Sequence, residues 1–225
     1  MSKKFFAVVA EQDPSIRMRA GIELSVLVTL TLIFFAFQGA EDIALQLSLA
    51  LPFVAFVVAG AGHTRIRIWG LDDSLEAIRR RRAITSLAGF TLAAAGACLA
   101  WGVWHHNPIA NPTMVYAIAL YLPWALAQEF IFQFYLLGRL RAVMPNTSPV
   151  LVAMLNGVAY GLVHMPDAGL ALGASMAGSV WSYFYLRDRK LLPIAVSHAV
   201  LGASFYYWVV GCDLFDTIIS RFSNF

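Results

Sequence analysis

Three ionisable residues, Glu129, His164 and His198, lie within apolar stretches of this chain. An ionisable side chain at the centre of a membrane helix costs about 3 kcal/mol on insertion scales, so such residues usually face a polar interior and serve a function. A carboxylate can take a proton from water, and an imidazole can position that water or stabilise an oxyanion. Together the three residues predict a site that activates water.

Two glutamines accompany Glu129. Gln133 follows it by four residues, so the two side chains are expected on one face of a helix. Gln128 directly precedes Glu129 and points about 100° away, which widens the polar sector. Hydrogen bonding between helices explains a buried glutamine. It explains Glu129 poorly, because a buried carboxylate needs a partner or must stay protonated.

The second apolar stretch ends in a polar stripe. Asn156, Tyr160 and His164 are each four residues apart, so they are expected on one helical face. Gly157 and Gly161 form a GxxxG face beside the stripe, and such a face permits close approach of a neighbouring helix. We interpret the stripe as part of the site and the glycines as a packing surface.

The last apolar stretch contains the neighbours Ser197 and His198. Adjacent residues on a helix point about 100° apart, so they do not form a ready Ser–His nucleophilic pair. The stretch before it, Gly169–Leu186, is rich in Gly, Ala and Ser, and we interpret it as a packing surface without chemistry. His198 is therefore grouped with Glu129 and His164.

The composition predicts the elements that must carry these residues. Hydrophobic residues make up 60% of the chain and charged residues 13%, whereas soluble domains contain about 25% charged residues. The length of 225 residues suits one integral membrane domain spanning residues 1–225. We predict an all-α polytopic membrane protein with about seven transmembrane helices and a buried polar cavity.

Seven stretches come close to the roughly 20 residues that a bilayer requires. They are about Gly21–Ala40, Ile43–Gly62, Ile84–Trp104, Val115–Leu137, Pro149–His164, Gly169–Leu186 and Leu191–Val210.

Basic residues occur in alternate loops, which predicts an orientation. Lys and Arg precede the first span and occupy the loops after the second, fourth and sixth, while the opposing loops contain none. The positive-inside rule then places the N-terminus in the cytoplasm, as in a bacterial inner membrane, and the C-terminus outside. The arginine run Arg79–Arg82 suits either a helix on the anionic inner leaflet or an ordinary anchor. Nucleic-acid binding is not expected, because no soluble domain accompanies this patch.

The three motifs resemble the CPBP or Abi family of intramembrane glutamic endopeptidases, which includes the Ras-converting CAAX endoprotease. That family's motifs are EExxxR, FxxxH and HxxxN or a similar third element, on successive helices. Gln128–Gln133 matches the first, Tyr160–His164 the second and His198–Gly202 the third. The resemblance covers a core of about residues 124–206.

The resemblance implies hydrolysis of a peptide bond near the C-terminus or leader of a membrane-associated protein or peptide. Glu129 would be the general base, with His164 and His198 beside it. Gln128, Gln133 and Asn156 would orient the site. The resemblance implies no cofactor, although one Glu and two His also make a zinc-ligand set.

Four positions depart from the family pattern, and they keep other functions open. Gln128 replaces a Glu, Gln133 an Arg, Tyr160 a Phe and Gly202 the Asn or similar residue. A catalytically inactive relative that binds or scaffolds membrane proteins is one alternative. A proton-coupled transporter is a weaker one, because such transporters often show inverted repeats and none is evident in this sequence.

Overall fold

A computed structural model describes residues 14–36 and 74–223, and this part of the chain consists of helices and connecting turns. The helices are α1 (Pro14–Ala36), α2 (Ser74–Trp104), α3 (Met114–Glu129), α4 (Leu137–Val143), α5 (Pro149–Leu162), α6 (Ala168–Asp188), α7 (Leu191–Ser204) and α8 (Leu214–Ser223). Two segments have the wider π-helical turn, namely π1 (Phe130–Leu136) and π2 (Phe205–Val210). The predicted all-α class is confirmed.

Three stretches of the described residues are long and apolar enough to cross a membrane: Ala83–Trp104, Met114–Val143 and Leu191–Val210. Of the seven predicted spans, five lie within residues 74–223, and three of these five correspond to the stretches found there, so the prediction was too high for this part of the chain. Helix α5 has 14 residues, or about 21 Å at 1.5 Å each, against a bilayer core of about 30 Å. Helix α6 has 21 residues, but its many Gly, Ser and Tyr residues lower its hydropathy.

Some predicted features lie outside the described residues. These are the span Ile43–Gly62, the basic residues Arg65 and Arg67, and the end of the first span beyond Ala36. The helical part nevertheless fits an integral membrane protein of the all-α class.

The chain divides into two compact units, Met1–Arg67 with Ile131–Leu186, and Ile68–Phe130 with Arg187–Phe225. In the first unit, α1 packs against α4. A network of ion pairs and hydrogen bonds around Glu23 supports this contact. The Glu23 carboxylate accepts hydrogen bonds from Arg19 at 2.9 Å and from the Tyr135 hydroxyl at 3.0 Å, and it also contacts Arg139.

Helices α5 and α6 of the first unit approach very closely. A Cβ atom on Gly157 would lie 2.5 Å from the backbone nitrogen of Ser179, and one on Gly161 would lie 2.4 Å from the carbonyl oxygen of Ala171. Only a residue without a side chain fits at either position. The interpretation of this GxxxG face as a packing surface agrees with these contacts.

In the second unit, α7 packs against both α3 and α2. The hydroxyls of Thr91 on α2 and Ser197 on α7 are 2.6 Å apart, and Thr91 also donates to the carbonyl of Leu87 at 2.9 Å. The two hydroxyls share one hydrogen bond, which links α2 to α7. This bond fixes the rotation of α7 next to His198.

A polar cap joins the start of α3 to π2 and α8. The Asp213 carboxylate accepts hydrogen bonds from Tyr207 at 2.5 Å, from Asn111 at 2.8 Å and from Thr113 at 2.9 Å. Burial alone would raise the pKa of Asp213, but these hydrogen bonds outweigh it and lower that pKa to about 2. The cap lies just beyond the membrane-spanning stretch that ends at Val210.

Candidate active site

Glu129 and His198 form a buried pair within the second unit. Oε1 of Glu129 lies 2.9 Å from Nδ1 of His198, and the two side chains are 0% and 5% exposed. A carboxylate can only accept a hydrogen bond, so Nδ1 carries the proton. In the neutral ring Nε2 is then the basic nitrogen. A buried carboxylate on the Nδ1 side of a histidine is the arrangement that fixes the tautomer and stabilises an imidazolium.

The pair joins the end of one helix to the middle of another. Glu129 is the last residue of α3, where the helix widens into π1, and α3 already contains Pro123. His198 lies in the middle of α7, which packs against α3. Single π-helical turns inside α-helices are rare and often occur at functional sites.

Tyr121 is a third member of the cluster. Its hydroxyl lies 3.3 Å from Nε2 of His198 and 3.4 Å from Oε1 of Gln128. Its ring meets the His198 ring edge-on, with 5.5 Å between centroids and 85° between planes. Sequence reasoning missed Tyr121 because it is one aromatic residue in an apolar stretch. The spacing of seven between Tyr121 and Gln128, which places them on one helical face, is the signal that could have found it.

A second, neutral cluster lies in the first unit, where Gln133, Asn156 and Ser182 are all fully buried. The Ser182 hydroxyl lies 2.8 Å from Oε1 of Gln133 and accepts from Nδ2 of Asn156 at 2.8 Å. Nδ2 of Asn156 also lies 3.4 Å from Oε1 of Gln133. The sequence interpretation treats Gly169–Leu186, which contains Ser182, as a packing surface. It does not predict the hydrogen bonds of Ser182 with Gln133 and Asn156.

The neutral cluster keeps hydrogen-bonding capacity beyond its own members. Among the described residues, neither Nε2 of Gln133 nor Oδ1 of Asn156 has a hydrogen-bond partner. Rotating both amides by 180° exchanges their roles but again leaves one donor and one acceptor. A buried polar group without a partner costs about 1–3 kcal/mol.

Tyr160 and His164 also lie in the first unit. Nδ1 of His164 lies 2.9 Å from the carbonyl oxygen of Tyr160, and their rings stack with 5.9 Å between centroids. The carbonyl only accepts, so Nδ1 is the protonated nitrogen here too. Tyr160 itself is 1% exposed and packs against Phe132 and Trp181. His164 is partly exposed, in the turn after α5.

Residues 110–204 match the family described as "Type II CAAX prenyl endopeptidase Rce1-like". The match confirms the resemblance to the CAAX protease-like family that the motifs predicted. No curated protein and no solved structure shows a significant match to the chain.

The Rce1-like match contains every candidate residue of both clusters, from Tyr121 to His198. The family is a protease family, so the match supports a CAAX protease-like hydrolase in general. The structure pairs Glu129 with His198 and groups Gln133 with Asn156. The contacts found for His164 are with Tyr160.

The predicted face shared by Glu129 and Gln133 assumed a regular α-helix. Residues 130–136 are π-helical instead, so spacing by four does not align side chains there as it does in an α-helix. Accordingly, Glu129 contacts His198, whereas Gln133 contacts Ser182 and Asn156. Among the residues that the structure describes, no group of three His, Cys, Asp or Glu side chains is arranged as metal ligands.

Proposed function

We propose that this protein is an intramembrane endopeptidase. It hydrolyses a peptide bond near the C-terminus or leader of a membrane-associated protein or peptide. The observation that carries the proposal is the buried Glu129–His198 pair, because ionisable groups are costly to bury and such buried pairs cluster at functional sites. The Rce1-like match over residues 110–204 supports the reaction class.

In the proposed mechanism Glu129 activates water through His198. The water oxygen attacks the scissile carbonyl carbon while Nε2 of His198 takes the water proton. Glu129, 2.9 Å from Nδ1, stabilises the resulting imidazolium. When the tetrahedral intermediate collapses, the C–N bond breaks and His198 returns the proton to the leaving amine. The products are a carboxylic acid and an amine.

This mechanism refines the sequence interpretation, in which Glu129 itself takes the proton. With Oε1 held against Nδ1, the carboxylate orients the ring and leaves Nε2, on the side of the Tyr121 hydroxyl, to take the proton. Gln128 supports the site through Tyr121, at 3.4 Å. Participation of His164, Gln133, Asn156 and Tyr160 in the reaction stays a prediction. The cytoplasmic N-terminus and the bacterial inner membrane also stay predictions.

An inactive binding or scaffold protein is the second candidate. The observation that favours it is the pair of amides at positions 128 and 133, where the family pattern has an acid and a base. Such a protein would still hold a membrane-anchored tail without cutting it. A transporter is less well supported, since no inverted repeat is evident in the sequence.

The test uses the full chain reconstituted in lipid vesicles with a farnesylated peptide that ends in a CAAX sequence. Mass spectrometry follows loss of the last three residues. We expect cleavage by the native chain, none by Glu129→Gln, and native cleavage by Asp216→Asn, which removes an exposed carboxylate from α8. A peptide that binds the native chain but is never cut would contradict the endopeptidase and support the binding protein.

A further inference from the structure

The ring of Tyr121 occupies the space beside His198 that a side chain at position 202 would need. Gly202 follows His198 by one helical turn on α7. A Cβ atom on Gly202 would lie 2.8 Å from Cε1 of Tyr121 and 3.5 Å from its Cδ1. Gly202 is also the position where the family pattern has Asn or a similar residue. The Tyr121 ring can therefore occupy this position only because residue 202 has no side chain.

Within residues 14–36 and 74–223, the hydrogen bonds found for the Tyr121 hydroxyl are long and therefore weak. A phenol has an ordinary pKa of about 10, so it is protonated at neutral pH. Its two acceptors are Nε2 of His198 at 3.3 Å and Oε1 of Gln128 at 3.4 Å. Both distances exceed the 2.7–2.8 Å that is usual for a hydroxyl hydrogen bond to oxygen. A charged acceptor forms shorter and stronger bonds than these.

We propose that Tyr121 is a further catalytic residue, which donates a hydrogen bond to the oxyanion of the tetrahedral intermediate. Gly202 leaves the room that lets the phenol ring reach this position. The inference rests on the proposed hydrolysis and adds the group that stabilises its intermediate. Oxyanion stabilisation is commonly the largest single contribution to acyl-transfer catalysis.

The roles of Tyr121 and His198 are distinct in each step. As water attacks, its proton goes to Nε2 of His198, and the carbonyl oxygen becomes an oxyanion. The Tyr121 proton turns from Gln128 or His198 to this oxygen and remains on the phenol. On collapse the carbonyl reforms, the C–N bond breaks, and the leaving amine takes its proton from His198. Tyr121 begins and ends protonated.

Tyr121→Phe tests the proposal directly, because it keeps the ring over Gly202 and removes only the hydroxyl. Loss of one oxyanion donor costs about 100–1000-fold in kcat. We expect a fall in kcat of that size with KM unchanged. The matched control is Tyr116→Phe, which removes an exposed hydroxyl from the same helix and should leave kcat at the native value.

Gly202→Ala moves the hydroxyl without removing it. The added methyl group displaces the far end of the Tyr121 side chain, so we expect kcat to fall although the phenol is still present. If both changes act through one hydroxyl, the double variant Tyr121→Phe, Gly202→Ala should be no slower than Tyr121→Phe alone. Losses that multiply would show that Gly202 acts by another route and would overturn the pairing.

The outcomes separate this inference from the function on which it rests. If the native chain does not cut the farnesylated peptide, the proposed function and the role of Tyr121 both fail. If the native chain cuts it and Glu129→Gln does not, the function stands. In that case a Tyr121→Phe variant with native kcat would overturn the role of Tyr121 alone.

Discussion

The two buried polar clusters of this protein differ in charge. In the second unit, Glu129 and His198 bring a titratable carboxylate and imidazole within 2.9 Å of each other. In the first unit, Gln133, Asn156 and Ser182 are equally buried but neutral. Both clusters are built from polar side chains on different helices. Only the charged one can move a proton, which teaches that burial of polar groups by itself does not identify a reaction centre.

The largest expected effect comes from breaking the charged cluster. Glu129→Gln and His198→Ala should each lower kcat at least about 10⁴-fold, and the double variant should lose little more, because residues of a catalytic unit act together. Peptide cleavage in vesicles measures this. The matched change in the neutral cluster, Ser182→Ala, should leave most activity. Equal losses in the two clusters would remove the distinction between them.

Introducing a charge into the neutral cluster should cost stability. Gln133→Glu keeps the shape of the side chain but buries a carboxylate, which costs about 3 kcal/mol at a helix centre. Only the ionised carboxylate is costly to bury, so the cost should appear as pH rises and disappear as the group protonates at low pH. Thermal unfolding in detergent at several pH values measures this. A cost independent of pH would mean that packing, and not charge, is responsible.

Gln128 sharpens the comparison, because it is an amide within the charged cluster. Gln128→Ala removes the oxygen 3.4 Å from the Tyr121 hydroxyl, and we expect kcat to fall about tenfold, in line with one weak hydrogen bond. Gln128→Glu should keep some activity with an altered pH profile, since it adds a second carboxylate to the cluster and like charges repel. Rate measurements from pH 5 to 9 compare the three proteins. A native chain without activity that Gln128→Glu rescues would identify the natural protein as an inactive binder.

The smallest effect is expected within the neutral cluster itself. Ser182→Ala removes the hydroxyl between Gln133 and Asn156, and hydrogen bonds inside membrane bundles contribute about 0.6 kcal/mol each on average. We expect a loss of about 1 kcal/mol, measured by unfolding in detergent. Ser220→Ala, an exposed change on α8, is the control. An effect above about 3 kcal/mol would mean that the cluster holds the helices together.

The sequence predicted the all-α class because that class follows from the apolar composition. Glu129 and His198 stand out against an apolar background, and the structure brings them within 2.9 Å of each other, while their catalytic role stays a prediction. The π-helical turn after Glu129 could not be predicted, because nothing in the sequence Phe130–Leu136 distinguishes it from an ordinary helix. It was this turn that made the assumed common face of Glu129 and Gln133 unreliable.

Contacts between residues far apart in the sequence could not be predicted, for a different reason. Tyr121 and Gly202 are 81 positions apart in the sequence. Neither residue alone stands out in its apolar stretch. Ser182 resembles the serines that pack against Gly157 and Gly161. Only the packing of the helices shows that its hydroxyl meets two buried amides. Within residues 74–223 the number of spans was overestimated, because α5 is short and α6 is rich in small polar residues.

The cap around Asp213 has a practical consequence for enzymology. Because the folded-state pKa of Asp213 is lowered to about 2, its contribution to stability is complete above the unfolded value of about 4 and is lost only as pH falls towards 2. The attachment of α8 is therefore constant across the range in which a membrane protease can be assayed. A change in cleavage rate between pH 5 and 9 would accordingly report on proton transfer at the reaction centre, without a contribution from loosening of the C-terminal helix at this carboxylate.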